Sequence, residues 1–569
     1  MNTNEAIQTV RPAHLTAENQ RILDIINDWR DRFWIDPEKL AGLLRPCRVR
    51  VLLVTDGGLD FSGGGFGLRT FVETLLTMPG SQVRFRITLA HMEARAGDAM
   101  MDGDARIQGR VPGFKFDNAA HFKPADFDEV WMFGIATSYA RDRNAQGSPV
   151  SSAKYPANRL GDAELAALAT FMDGGGGLFA TGDHGSLGQC LGGSVPRAQA
   201  MRLWQDDASG TVSMGGPNRN DTNRPGDPGS QFNDQSDDIP QEIQPELFHS
   251  RSGFWRLSYP HPLLCGPRGV IKVMPDHPHE GECVAPATPD PALFPGASAA
   301  GPRPIVISKS SVLPGTVSGT KAPTALQTPF GGICAYDGHA AARGRVVTDA
   351  TWHHFVNINL VGDAGATPPK TLGFLASPAG QAHLENIKTY YRNIAVWIAR
   401  PENITCMNRR WIWWLLRNER VMEATLTTAD VRLKDLSARL IWEVGKHARD
   451  VLGKFAGQCQ SRRLALDLLV VHTKLDLKDL LDPWRQLLEP KPPEPPIPWI
   501  ELEPVLDLAL GGAIIALREA MPEPSEQAPK DDAIDKAIAT GVQRAAKLAG
   551  QSFLKASESL QPTMTALAK

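Results

Sequence analysis

Residues 49–58 read VRVLLVTDGG, a run of valine and leucine that stops abruptly at Asp-Gly-Gly. A strand this apolar toward both faces is stable only where both faces are covered, as in a central parallel strand flanked by helices. The pattern returns in VRFRITLA (83–90), FDEVWMFGI (127–135) and GLFATG (177–182). Helical patterns stand between these runs, at Leu68–Leu76 and in LGDAELAALATFMDGG (160–175), which has acids in its first turn and glycine at its end. Strand, helix, strand, helix predicts an α/β domain built on a flavodoxin-like, doubly wound, mostly parallel sheet.

The rhythm breaks over about 190–345, where 206–240 is rich in Asp, Asn, Gly, Pro and Ser, and this reads as a long loop-rich insertion. Short strands are expected at GVIKVM (269–274), PIVISK (304–309), GGICAYD (331–337) and within GRVVTDATWHHF (344–355), and a helix over 382–400. Ile22, Ile25, Ile26, Trp29 and Phe33 predict a further helix within an N-terminal segment, 1–47. Beyond the α/β domain, 48–401, residues 402–569 carry successive helical patterns and predict an all-α C-terminal domain, interrupted by a stiff proline-rich linker at 489–498.

A net charge of −3 with no basic stripe argues against nucleic acid as a partner. The most apolar tail stretch, LDLALGGAIIAL, is too short to span a bilayer, and the first residues hold no apolar signal-peptide core. Seven scattered cysteines without metal-ligand spacing suggest reduced thiols in a cytoplasm.

Ligands of open α/β sheets bind beyond the carboxyl ends of the strands. The residues expected there are Asp56 after the first strand, Asp183 and His184 after GLFAT, and His353 and His354 after the last strand. A further segment, MPDHPHEGE, supplies Asp276, His277, His279 and Glu280. Such residues suit acid–base chemistry, with His184, Asp183, Asp56 and Glu280 as the catalytic group. Asp276, His277, His279, His353 and His354 are donors for one divalent metal, zinc, manganese or iron. Each piece also has a bland reading: Asp56 as a turn former, Asp183 as a helix cap, the Asp276–Glu280 cluster as a solvated turn. From an extended chain His353 and His354 cannot both face inward. The glycine-rich TDGGLDFSGGGFG lacks the ending of a phosphate-binding P-loop and reads as a flexible loop. Ser186 and Cys190 are the nearby nucleophile candidates, but neither sits in an elbow motif.

Three of these stretches, ELAALATFMDGG followed by GGGGLFATGDHGS, GRVVTDATWHHFVN, and the helix ending NIAVWIAR, resemble the class I glutamine amidotransferase-like superfamily, and most closely its ThuA-like (trehalose-utilisation) branch. The resemblance covers about residues 48–400. It aligns Gly174 to His184 with that branch's fourth-strand end, and Thr351 to His354 and Trp397-Ile398 with its last strand and helix. Amidotransferases proper carry a cysteine nucleophile at the strand-end elbow, where this chain has Thr181-Gly182-Asp183-His184. The expectation is a hydrolase-type enzyme acting on a small polar, carbohydrate- or amide-like substrate without that cysteine. The alternative is a non-catalytic ligand-binding or scaffolding protein whose helical tail forms a homo-oligomer or binds a protein partner.

Overall fold

The computed structural model describes residues 46–78, 83–136, 142–143, 149–150, 160–183, 187–204, 241–252, 255–266, 269–275, 282–297, 302–310, 330–366, 371–416, 421, 432–456, 458–473, 502–520 and 531–567. The expected N-terminal helix, the polar stretch 206–240 and the proline run 489–498 lie outside them.

The central sheet is built from β1 (Cys47–Thr55), β2 (Val83–His91), β3 (Gly109–Pro112), β4 (Glu129–Phe133), β5 (Gly177–Thr181), β6 (Gln241–Pro245), β7 (Val273–Met274), β8 (Ile305–Ser310), β9 (Phe330–Tyr336) and β10 (Val346–Asp349). Its spatial order is β7-β6-β8-β9-β10-β5-β4-β1-β2-β3. From β3 to β10 the neighbours run parallel, and from β10 to β7 they alternate antiparallel. Leaving aside the four-residue edge strand β3, the parallel part has the flavodoxin-like order, with its switch point between β1 and β4.

Burial explains the apolar runs. Val49, Val51 and Leu53 join one core, with Phe71 and Leu75 of α1 (Arg69–Leu76) and Leu384, Ile387, Tyr390 and Tyr391 of α3 (Pro378–Ile398). Leu52 and Val54 face the other core, with Leu168, Phe171 and Met172 of α2 (Asp162–Asp173). Helix α3 begins where Ser377 accepts a hydrogen bond from the Gly380 N–H at 3.0 Å, with Pro378 at its first position.

The C-terminal region is helical: α4 (Pro401–Leu416), α5 (Ala438–Ala456), α6 (Gln458–Thr473), α7 (Leu502–Ala520) and α8 (Asp531–Leu567). Helix α4 serves both halves, since Met407 packs in the sheet's core and Ile412 and Leu415 in the helical one. Trp411 also packs against the helical core, while the side chains of Trp413 and Trp414 lie outside the described residues. The apolar stretch of α7 is the centre of this bundle: Leu506, Leu510, Ala513, Ile514 and Leu517 are all buried there.

One expectation is corrected. Cys47 and Cys406 form a disulfide, so the thiols are not all reduced. The two lie at a sequence separation of 359, and a pairing across such a distance has no local signature. Cys190, Cys265, Cys283 and Cys334 are buried and form no disulfide among the described residues. No described helix is long and apolar enough to cross a membrane.

Candidate active site

In the parallel register of β5 and β10, Thr181 lies opposite Asp349. Two residues further along each strand stand Asp183 and Thr351, and the Thr351 hydroxyl donates to Asp183 Oδ1 at 2.9 Å. The Trp352 N–H donates to the Gly182 carbonyl at 2.7 Å, which ties the two strand-end turns together. Thr351 then caps the short turn Trp352–His354 by accepting from the His353 N–H.

That turn decides where the two histidines go. It is a tight 3-10 turn rather than an extended chain, so the expectation that only one imidazole can face inward is corrected: both are buried, beside different carboxylates. His353 Nε2 lies 3.5 Å from Asp183 Oδ2, and its Nδ1 is 3.2 Å from Asn359 Oδ1. The Trp352 ring stacks on the His353 ring with centroids 4.0 Å apart. His354 Nδ1 lies 2.8 Å from Asp349 Oδ1, and Tyr390 donates its hydroxyl to Asp349 Oδ2 at 2.7 Å. Tyr391 donates to the His354 carbonyl. Burial and the neighbouring Asp349 keep the Tyr390 phenol well above its ordinary pKa, so it remains a donor.

Arg202 locks the rear of this arrangement. Fully buried, it donates to the carbonyls of Asp183 and Ala350, one from each strand-end turn. Burial lowers its pKa, against the pull of Cys283, Asp183 and Asp349. Glycine is required alongside: a side chain on Gly182 would meet the Leu187 carbonyl, and Gly188 adopts φ +87°.

Asp56 stands at the switch point, but its oxygens are engaged by the neighbouring turn. Oδ2 accepts from the amides of Ile135 and Ala136, both at 2.6 Å, and Oδ1 from Gly58 at 3.1 Å. The Cys190 thiol donates to Oδ2 at 3.6 Å. Burial raises the Asp56 carboxyl above its ordinary pKa, and these donors act against the rise. Asp56 thus knits β1 to the turn after β4. The glycine-rich loop is likewise tied down: Asn357 donates to the carbonyls of Ser62 and Gly64, and the Ile358 N–H to Gly65.

His184 and Ser186 lie outside the described residues, as do Asp276, His277, His279 and Glu280. The structure therefore brings together Asp183 with His353, and Asp349 with His354. Among the described residues no group of three or more His, Cys, Asp or Glu is placed to hold a metal ion. The Cys283 thiol, pushed by burial up to about 12, is a poor nucleophile. Asn359, Arg202 and Tyr390 were not singled out in the sequence, and Thr351 was named there only as the start of the segment Thr351 to His354. Only the Thr351 position carried a signal, since it lies on the same strand-end segment as the histidines. No protein-family model, curated protein or solved structure matches this chain.

Proposed function

We propose that the chain is a hydrolase-type enzyme acting on a small polar substrate, with His353 as general base and Asp183 as its electrostatic partner. The observation that carries this reading is the 3.5 Å approach of His353 Nε2 to Asp183 Oδ2 at the carboxyl ends of adjacent parallel strands. In the proposed tautomer Nδ1–H donates to Asn359 Oδ1, which leaves the lone pair on Nε2. Nε2 takes a proton from water or a substrate hydroxyl, and the Asp183 carboxylate stabilises the imidazolium that forms. Thr351 holds that carboxylate in place through its other oxygen. The resemblance to the ThuA-like branch supports the same location and an amide- or carbohydrate-like substrate. His184, next along the chain from Asp183, is placed by sequence to act with them. A divalent ion held by Asp276, His277 and His279 remains part of the proposal, and elemental analysis of purified protein tests it. The location proposed is a cytoplasm, where free buried thiols are at home, although the Cys47–Cys406 bond favours an oxidising compartment.

The test is turnover of chromogenic ester, amide and glycoside panels by the wild type, His353→Gln and Asp183→Asn. Both substitutions are expected to lower kcat by about 10²–10⁴-fold with melting temperature retained. A wild type that hydrolyses none of the panel, or variants as active as wild type, overturns the reading.

A second reading, a scaffolding protein that binds a partner through its tail, is favoured by the end of α8. Phe553, Leu554 and Leu560 are exposed there. Light scattering of the wild type and Leu554→Lys distinguishes it: an assembly dissolved by the substitution supports scaffolding.

A further inference from the structure

Away from the strand ends, a cavity of about 390 Å³ opens between α1 and α3, lined by Arg69, Glu73 and Thr74 on α1, Lys388 and Arg392 on α3, and Asn357 between them. Its charges are unequal: three cations against one carboxylate. That carboxylate is already taken, because Arg106 binds both oxygens of Glu73, at 2.8 and 2.5 Å. Arg69 pairs with Asp98 and Lys388 with Glu385, carboxylates that are 61% and 54% exposed. Pairs as wet as these contribute little and exchange readily.

Arg392 is the unusual member. Its Nε donates a long bond, 3.4 Å, to the Thr74 carbonyl, and it pairs with no described carboxylate. The side chain is half-buried, and burial lowers its pKa against the pull of Glu385. Its planar fork has the geometry that oxyanions take up in pairs of charge-assisted bonds. Lys388 stands four residues earlier on the same helix, so two cations share one face, and the carboxylate acting on both, that of Glu385, is 54% exposed.

We propose that this cavity binds a small phosphate-bearing anion, gripped by Arg392 and Lys388 from α3 and Arg69 from α1. Three cations, with the one lining carboxylate already bound by Arg106, match a dianion better than a monocarboxylate. The site is separate from Asp183 and His353, and the failure of either proposal leaves the other standing.

The experiment is titration calorimetry of the full chain in phosphate-free buffer, with inorganic phosphate and glycerol 1-phosphate as probes and acetate and glycerol as controls. Saturable binding of both phosphates at one site is expected. Arg392→Gln and Lys388→Gln should each weaken it about tenfold or more, since a bond to a charged group contributes about 1.5–3 kcal/mol. Arg439→Gln, far along the bundle surface, should change nothing. Should Arg392→Gln fail to fold, Lys388→Gln decides. Absence of phosphate binding, acetate binding as tight as phosphate, or unchanged affinity in Lys388→Gln overturns the proposal.

Discussion

Thr351 gives its hydroxyl hydrogen to Asp183 Oδ1 at 2.9 Å, and the carboxylate's other oxygen faces His353. Thr351→Val keeps the shape and removes only the donor. A lost buried bond of this kind costs about 1–3 kcal/mol, and a carboxylate with one donor fewer is held less firmly against Nε2. In a substrate-turnover assay kcat should fall about tenfold or more while KM stays within about twofold, as for a positioning residue. Unchanged kcat would show that Asp183 needs no such anchor.

His91, at the end of β2, is buried, with Nδ1 accepting from the Glu93 N–H at 3.1 Å and a backbone bond to Leu59 acting against the effect of burial. Burial, helped by Arg95, lowers its pKa; Glu93 and Asp60 pull the other way without reversing this. The unfolded chain then binds a proton that the native state refuses. Native stability is therefore full above the ordinary histidine value of about 6.5, and is lost as pH falls from there toward the lowered native value. Urea midpoints at about pH 7.5 and 5.5 should differ less in His91→Gln than in wild type. Equal differences would assign the acid sensitivity elsewhere.

Gly511 of α7 lies where a β-carbon would stand 2.0 Å from the Ile441 carbonyl of α5, and Gly445 answers it from the other side. Gly511→Ala forces the helices apart and should destabilise the bundle by about 1–3 kcal/mol. Hydrogen exchange should report the loss in 438–567 with protection of β1, β4 and β5 preserved. A bundle as protected as wild type would mean the crossing can widen without loss.

The Cys47–Cys406 bond closes a very long loop. Cross-links of long loops typically contribute about 2–4 kcal/mol by restricting the unfolded chain. Cys47→Ser and treatment with reductant should lower the melting temperature equally, and reductant should do nothing further to Cys47→Ser. A reductant effect that persists in the variant would point to another disulfide.

Much of the α/β half could be read from the chain. β4, β5 and the second half of β1 were legible because both their faces are covered, so almost every residue there had to be apolar; β2 and the start of β1 were legible by alternation, with Arg48, Arg50, Arg84 and Arg86 on the exposed face. The edge strand β3, GRVP, and the short β6, QEIQP, next to the other edge, carry no such pressure and gave no signal. The tail's helices were legible, but the burial of the apolar LDLALGGAIIAL by α5 and α8 cannot be inferred from its own composition. At the strand ends Asp183 and His353 were legible as residue types on loops after strands. Their contact was not, since it depends on the β5–β10 register and on a turn that rotates His354 away toward Asp349. Arg202 was invisible for the same reason: its role lies in two carbonyls distant in sequence.

With the Cα atoms of Cys47 and Cys406 only 5.9 Å apart, the long stretch between them starts and finishes at one spot. An α/β half with coincident ends is a ring in all but its covalent chain. Such a half is a natural subject for circular permutation: residues 47 and 406 joined by a short linker, and new termini opened within 205–240, should yield the same sheet in a different chain order.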